Sequence, residues 1–123
     1  MKEKDFQSFF NKWIKNVYKE TGAFELKKTD TDSLPFSSVA PHQLEALENV
    51  RHGTFVFKIP DAGYQNPFDC FSLHQMPAYI VIRYPKTVEL IPIDAFILEK
   101  NTSKRKSLTA KRASEISVIS IER

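Results

Sequence analysis

Apolar residues recur at Phe6, Phe9, Phe10, Trp13, Ile14 and Val17, with Lys12, Lys15, Asn16 and Lys19 on the remaining positions. That i, i+3, i+4, i+7 spacing predicts an amphipathic helix with one inward stripe. It should close near Thr21-Gly22, where glycine adopts the left-handed C-terminal conformation at little cost. The period then shortens to two. In residues 23–28, Phe24 and Leu26 face one way while Glu25 and Lys27 face the other, the pattern of a half-buried strand. Residues 29–41 read as a polar loop with two prolines. Pro41 suits the first turn of a second helix, PHQLEALENVRH, capped by Ala40 or Ser38. Its Leu44, Leu47 and Val50 point inward, and Gly53 ends it.

Strands are expected at 54–59, 68–73 and 78–84, with a Pro60-Asp61-Ala62-Gly63 turn after the first. A short strand at 88–91 follows a Pro85-Lys86 turn. Residues 93–98 fit a helical turn or a strand, and Ser107 is positioned to cap a last helix over 108–116. The order α-β-α-β-β-β-β-α predicts a mixed α/β or α+β fold, one central mixed sheet flanked by helices. Its 123 residues suit a single domain spanning residues 1–123.

Composition narrows the class. Hydrophobic residues make up 41% and charged residues 27%, the range of globular chains. No apolar run approaches the roughly 20 residues of a membrane helix, and the charged MKEKDF opening does not read as a signal peptide. The single cysteine, Cys70, excludes an internal disulfide framework and suits a reducing compartment, so a cytoplasmic location is expected. Charge is unevenly spread. Residues 1–99 carry 11 basic and 13 acidic side chains, whereas residues 100–123 carry seven basic and two acidic. Lys104, Arg105, Lys106, Lys111 and Arg112 in this basic C-terminal segment are candidates for contact with nucleic-acid phosphates. A solvated tail would have the same composition.

Several chemistries are unsupported. His42, His52 and His74 lack the i, i+3 or i+4 spacing of zinc helices, and Cys70 between Phe68 and Phe71 reads as a packed thiol. There is no P-loop, no G-x-G-x-x-G and no G-x-S-x-G element. What remains is Glu25-x-Lys27, which places a carboxylate and an ammonium side by side on one strand face. An exposed pair of this kind often serves only as a weak salt bridge.

The order AFELKKT, then PHQLEAL, then GTFVFKI resembles the PD-(D/E)XK nuclease superfamily, most closely its Holliday-junction resolvase-like members, over about residues 6–60. The resemblance implies a restriction-endonuclease-like core and Mg²⁺- or Mn²⁺-dependent hydrolysis of DNA phosphodiesters. It makes Glu25 a metal-binding carboxylate, Lys27 the catalytic lysine and Gln43 the helix glutamine. It further implies DNA, including branched DNA, as the partner of a homodimer. The family also carries an aspartate on a hairpin ahead of Glu-x-Lys, and here the 24 residues upstream of Glu25 are largely taken by a helix. Asp69, in Pro67-Phe68-Asp69-Cys70-Phe71, is the expected replacement as second metal ligand, with Asp61 the next choice. A catalytically degenerate nuclease fold, serving as a nucleic-acid-binding or phage assembly protein, is the competing expectation. Tyr64 and Phe36 are candidates for base stacking or for loop anchors. Asp30 and Asp32, just after the Glu-x-Lys strand, would repel phosphate unless they bind metal or turn away.

Overall fold

A computed structural model describes residues 3–15, 22–58 and 70–122. Helix α1 (Glu3–Trp13) precedes strand β1 (Ala23–Lys28) and a short strand β2 (Ser33–Pro35). A 3₁₀ turn at Phe36–Ser38 leads into α2 (Pro41–His52). Strands β3 (Thr54–Lys58), β4 (Cys70–His74), β5 (Ala78–Arg83) and β6 (Thr87–Pro92) follow. The chain continues through α3 (Ile93–Thr102), β7 (Ser107–Thr109), α4 (Ala110–Ile116) and β8 (Ile119–Glu122). The fold is α+β.

The main sheet has the order β1-β5-β6-β8. β1 runs parallel to β5, pairing Glu25 with Ile80 and Lys27 with Ile82. β6 is antiparallel to both β5 and β8. β5 is buried along its whole length, which explains its unbroken apolar run AYIVI. One face carries Tyr79, Val81, Val88 and Leu90, covered by Phe6 and Phe10 of α1. The other carries Ile80, Ile82 and Ile91, covered by Leu44 and Leu47 of α2, Ile93 and Phe96 of α3, and Ala113 of α4. Each fully buried large apolar side chain in these layers contributes about 1.5–3 kcal/mol.

The apolar stripe of α1 is narrower than its spacing predicts. Phe9 is 40% exposed, because it lies about 60° around the helix from Phe6. Val17 and the predicted end of the helix lie outside the described residues. Gly22 makes a close approach to the backbone ahead of β5. A Cβ there would lie 2.6 Å from the Pro77 carbonyl oxygen, which accepts the Ala23 N–H at 2.9 Å. The glycine thus lets β1 start hard against the segment leading into β5.

The expected mixed sheet flanked by helices is present, but not every strand joins it: β3 and β4 pair only with each other among the described strands, and β2 pairs with β7. Residues 93–98 belong to α3, started by the extended backbone of Pro92 at its N-cap. The last helix begins at Ala110, because Thr109 Oγ1 rather than Ser107 accepts the Arg112 N–H at its N-terminus. Residues 100–122 are not a tail. They supply β7, α4 and the sheet strand β8. Among the described residues no helix is long and apolar enough to cross a membrane.

Candidate functional site

The period-two strand β1 turns Glu25 and Lys27 to the α2 side of the sheet, together with Ala23, while Phe24 and Leu26 pack on the α1 side. Lys27 Nζ stands 3.6 Å from Glu25 Oε1, and the two side chains retain 22% and 30% exposure. They are reachable by solvent, yet too confined to be a freely solvated pair. Gln43 meets them from above. On the first turn of α2 its Oε1 accepts the Ala40 N–H at 3.0 Å. That N–H can only donate, so the amide orientation is fixed, and Nε2 donates to Glu25 Oε1 at 2.9 Å. The residue therefore caps its own helix and holds the carboxylate at once. Ala40 has no side-chain oxygen to take part, and Ser38 Oγ is used elsewhere, donating to the Pro35 carbonyl at 2.6 Å.

Three expected site residues, 18 positions apart at the widest, thus converge at the N-terminus of α2. The neighbouring strand offers them no acid, because Ile80 and Ile82 stand opposite Glu25 and Lys27. Asp69, Asp61 and Tyr64 lie outside the described residues. β4, which Asp69 immediately precedes, pairs with β3 through Lys58 and Cys70, whereas the strand beside β1 is β5. Among the described residues no three His, Cys, Asp or Glu side chains gather into a metal-binding group. Mg²⁺ does not need such a cage. It binds through one or two carboxylates together with water and substrate phosphate oxygens, and Glu25 is a hard oxygen donor of that kind.

The remaining candidates sort clearly. Phe36 is a core anchor, 5% exposed and edge-on to Phe96 at 5.7 Å between ring centres. Asp30 turns away from the site to Arg83, whose guanidinium lies 3.1 Å from it. Arg83 alternates with Tyr79 and Val81 and so belongs to the α1 face. His42 is exposed on α2. His52 Nε2 approaches Asp94 Oδ1 at 2.6 Å, joining the end of α2 to the start of α3. Lys104, Arg105 and Lys106 are exposed in the α3–β7 connection, and Lys111 is exposed on α4. Arg112 is engaged: it lies 3.0 Å from Glu99 and 2.8 Å from Glu115. Those hydrogen bonds, Glu99 first, push its pKa above the ordinary value.

Two residues escape a reading by motif. Lys100, on the last turn of α3, stands with the 104–106 cations. Its only sequence signal is membership of the basic segment. Glu89 is fully buried on β6 and accepts hydroxyl hydrogens from Ser117, at 2.9 Å, and from Ser120. Its signal is a lone acid within the apolar run Val88–Ile91. It shares a sheet row with Lys27, yet Ile82 stands between them, two strand spacings or about 10 Å across. It does not join the site.

No protein-family model matches the chain, and no curated protein matches it.

Proposed function

We propose that this chain is a Mg²⁺- or Mn²⁺-dependent DNA endonuclease resembling Holliday-junction resolvases. The observation that carries the reading is the convergence of Glu25, Lys27 and Gln43 on one partly exposed patch. Glu25 and Asp69 would hold the metal, which when bound supplies Lewis-acid activation of water and phosphate. Lys27 places a positive charge where negative charge grows on the attacked phosphate, and orients the entering water. Gln43 is a positioning residue: with Oε1 tied to its own helix, its Nε2 fixes the Glu25 carboxylate for ligation. On branched DNA of near two-fold symmetry, two copies of the chain would act together.

The test is cleavage of linear, nicked and four-way DNA with Mg²⁺ or Mn²⁺. Glu25→Ala, Lys27→Ala and Asp69→Ala are each expected to lower cleavage by about 10²–10³-fold, the scale of losing a charge-stabilising group. Gln43→Ala and Gln43→Glu should both raise the metal concentration for half-maximal rate about tenfold, with DNA affinity unchanged. Glutamate can still accept the Ala40 N–H but cannot donate to Glu25, so rescue by Gln43→Glu would remove the positioning role. A wild-type chain that binds DNA and cuts none of these substrates in either metal would overturn the enzyme reading.

The second reading, a nucleic-acid-binding or phage assembly protein on a degenerate nuclease fold, is favoured by one feature. Isoleucines occupy the β5 positions opposite Glu25 and Lys27, so the neighbouring strand supplies no second carboxylate. It predicts binding without cleavage in the same assay.

A further inference from the structure

The cations of the C-terminal segment line two adjoining depressions of unlike charge, with Lys104 and Arg105 bordering both. The first, ≈ 400 Å³, is lined by Lys104, Arg105, Lys111 and Arg112 together with Glu99 and Glu115. Arg112 bridges both acids, so much of that charge is neutralised internally. The second, ≈ 520 Å³, is lined by Lys100, Lys104, Arg105 and Lys106 and by no acid at all. Its opposite wall is Phe36, Val39 and Pro41. None of its four cations forms a salt bridge among the described residues.

The groove is held in place rather than draped. The Phe36 N–H donates to the Lys106 carbonyl at 3.0 Å, and β2 pairs with β7 directly beside it. The Arg105 N–H donates to Ser103 Oγ at 3.1 Å, curling the loop that carries three of the cations. Pro41 lines the groove, and Gln43 on the same helical turn touches Glu25. Groove and candidate centre therefore share the N-terminal end of α2, about 3 Å apart along its axis but about 200° apart around it. The positive end of that helix, whose first turn holds no acidic residue, adds to the field.

We infer that this acid-free groove is the track for the DNA phosphate backbone, with Lys100, Lys104, Arg105 and Lys106 as its contacts. Arg112 serves α4 and stays off the DNA. The assignment rests on DNA being the substrate and not on catalysis. An acidic protein is the other polyanion of suitable charge. The groove's lining sets four cations and no acid along one wall, the complement of an evenly charged phosphate backbone.

The experiment is anisotropy of a fluorescein-labelled four-way junction in EDTA across a range of NaCl concentrations. The variant Lys104→Ala/Arg105→Ala/Lys106→Ala should lose about 10–100-fold in affinity and about 2–3 from the slope of log K against log [NaCl]. Lys100→Ala should lose about 1 from it, each phosphate contact being worth about 0.9. Arg112→Ala should bind as wild type, with circular dichroism and melting reporting the fold of every variant. Affinity unchanged in the folded triple variant, absence of wild-type binding, or competition by polyglutamate as strong as by unlabelled DNA would overturn the inference. Failure of the two readings is separable. Cleavage lost in Glu25→Ala with binding indifferent to the triple variant sinks the groove alone. Groove-dependent binding without cleavage in any metal sinks the enzyme alone.

Discussion

Tyr84 shows how one buried hydroxyl gives the chain a pH limit. Its ring is 1% exposed, and its OH donates to the Leu108 carbonyl at 2.8 Å, tying the end of β5 to β7. Burial, and secondarily the charge of Glu89, pushes its pKa above the ordinary 10.0. Above about pH 10 the unfolded chain releases this proton while the folded chain keeps it. Stability from this group is therefore constant below pH 10 and declines as pH rises beyond it. Urea unfolding midpoints measured from pH 8 to 11 should show that decline. Tyr84→Phe should flatten it, at a cost of about 1–3 kcal/mol at pH 8 from the carbonyl left without its donor. The site residues obey a different constraint. Glu25 and Lys27 were legible as neighbours because they are two apart on a strand. Gln43 was marked only by the family resemblance, and its contact with Glu25, 18 positions away, is set by the packing of α2 on the sheet. Glu89 was not legible as a buried acid, because its two donors lie 28 and 31 positions away.

Among the elements, β1 is the one on which the candidate site depends, and its placement turns on a close approach. Gly22→Ala would push a methyl against the backbone oxygen of Pro77, which has no side-chain freedom with which to yield. A loss of about 1–3 kcal/mol is expected, as for other forced overpacking, read as a lowered melting temperature. An unchanged melt would show that β1 can shift away from β5 at its start. The long elements were evident locally, α2 from its helical period and β5 and β6 from their apolar runs. β2, β7 and β8 were not. Each has three or four residues, and Ser33, Ser107, Ser120 and Glu122 break their apolar runs. Such segments become strands only because a partner strand meets them, which is information that no window of local sequence contains. The ambiguity over residues 93–98 has the same origin, since a short apolar run suits either state until its packing is known.

For the whole molecule, the basic segment cannot be treated as removable. Ending the chain after Lys100 would delete β8 from the main sheet and β7 from its pair with β2, and strip Leu108 and Ala113 from the core. Loss of the fully buried Leu108 alone forfeits about 1.5–3 kcal/mol, and the half-buried Ile119 and Ile121 add to it, against a typical total of about 5–15 kcal/mol. The shortened chain should show no cooperative melting transition by circular dichroism. A sharp transition near the wild-type temperature would mean that residues 1–100 fold independently. The seating of Glu89 adds a directional consequence. A ribosome delivers this carboxylate 28 and 31 residues ahead of Ser117 and Ser120. Until they emerge, β6 carries a hydrated acid on a face meant for the interior, so the nascent sheet must wait for its final strand. A transcript cut short before Ser117 would then yield a chain that proteases recognise as unfinished.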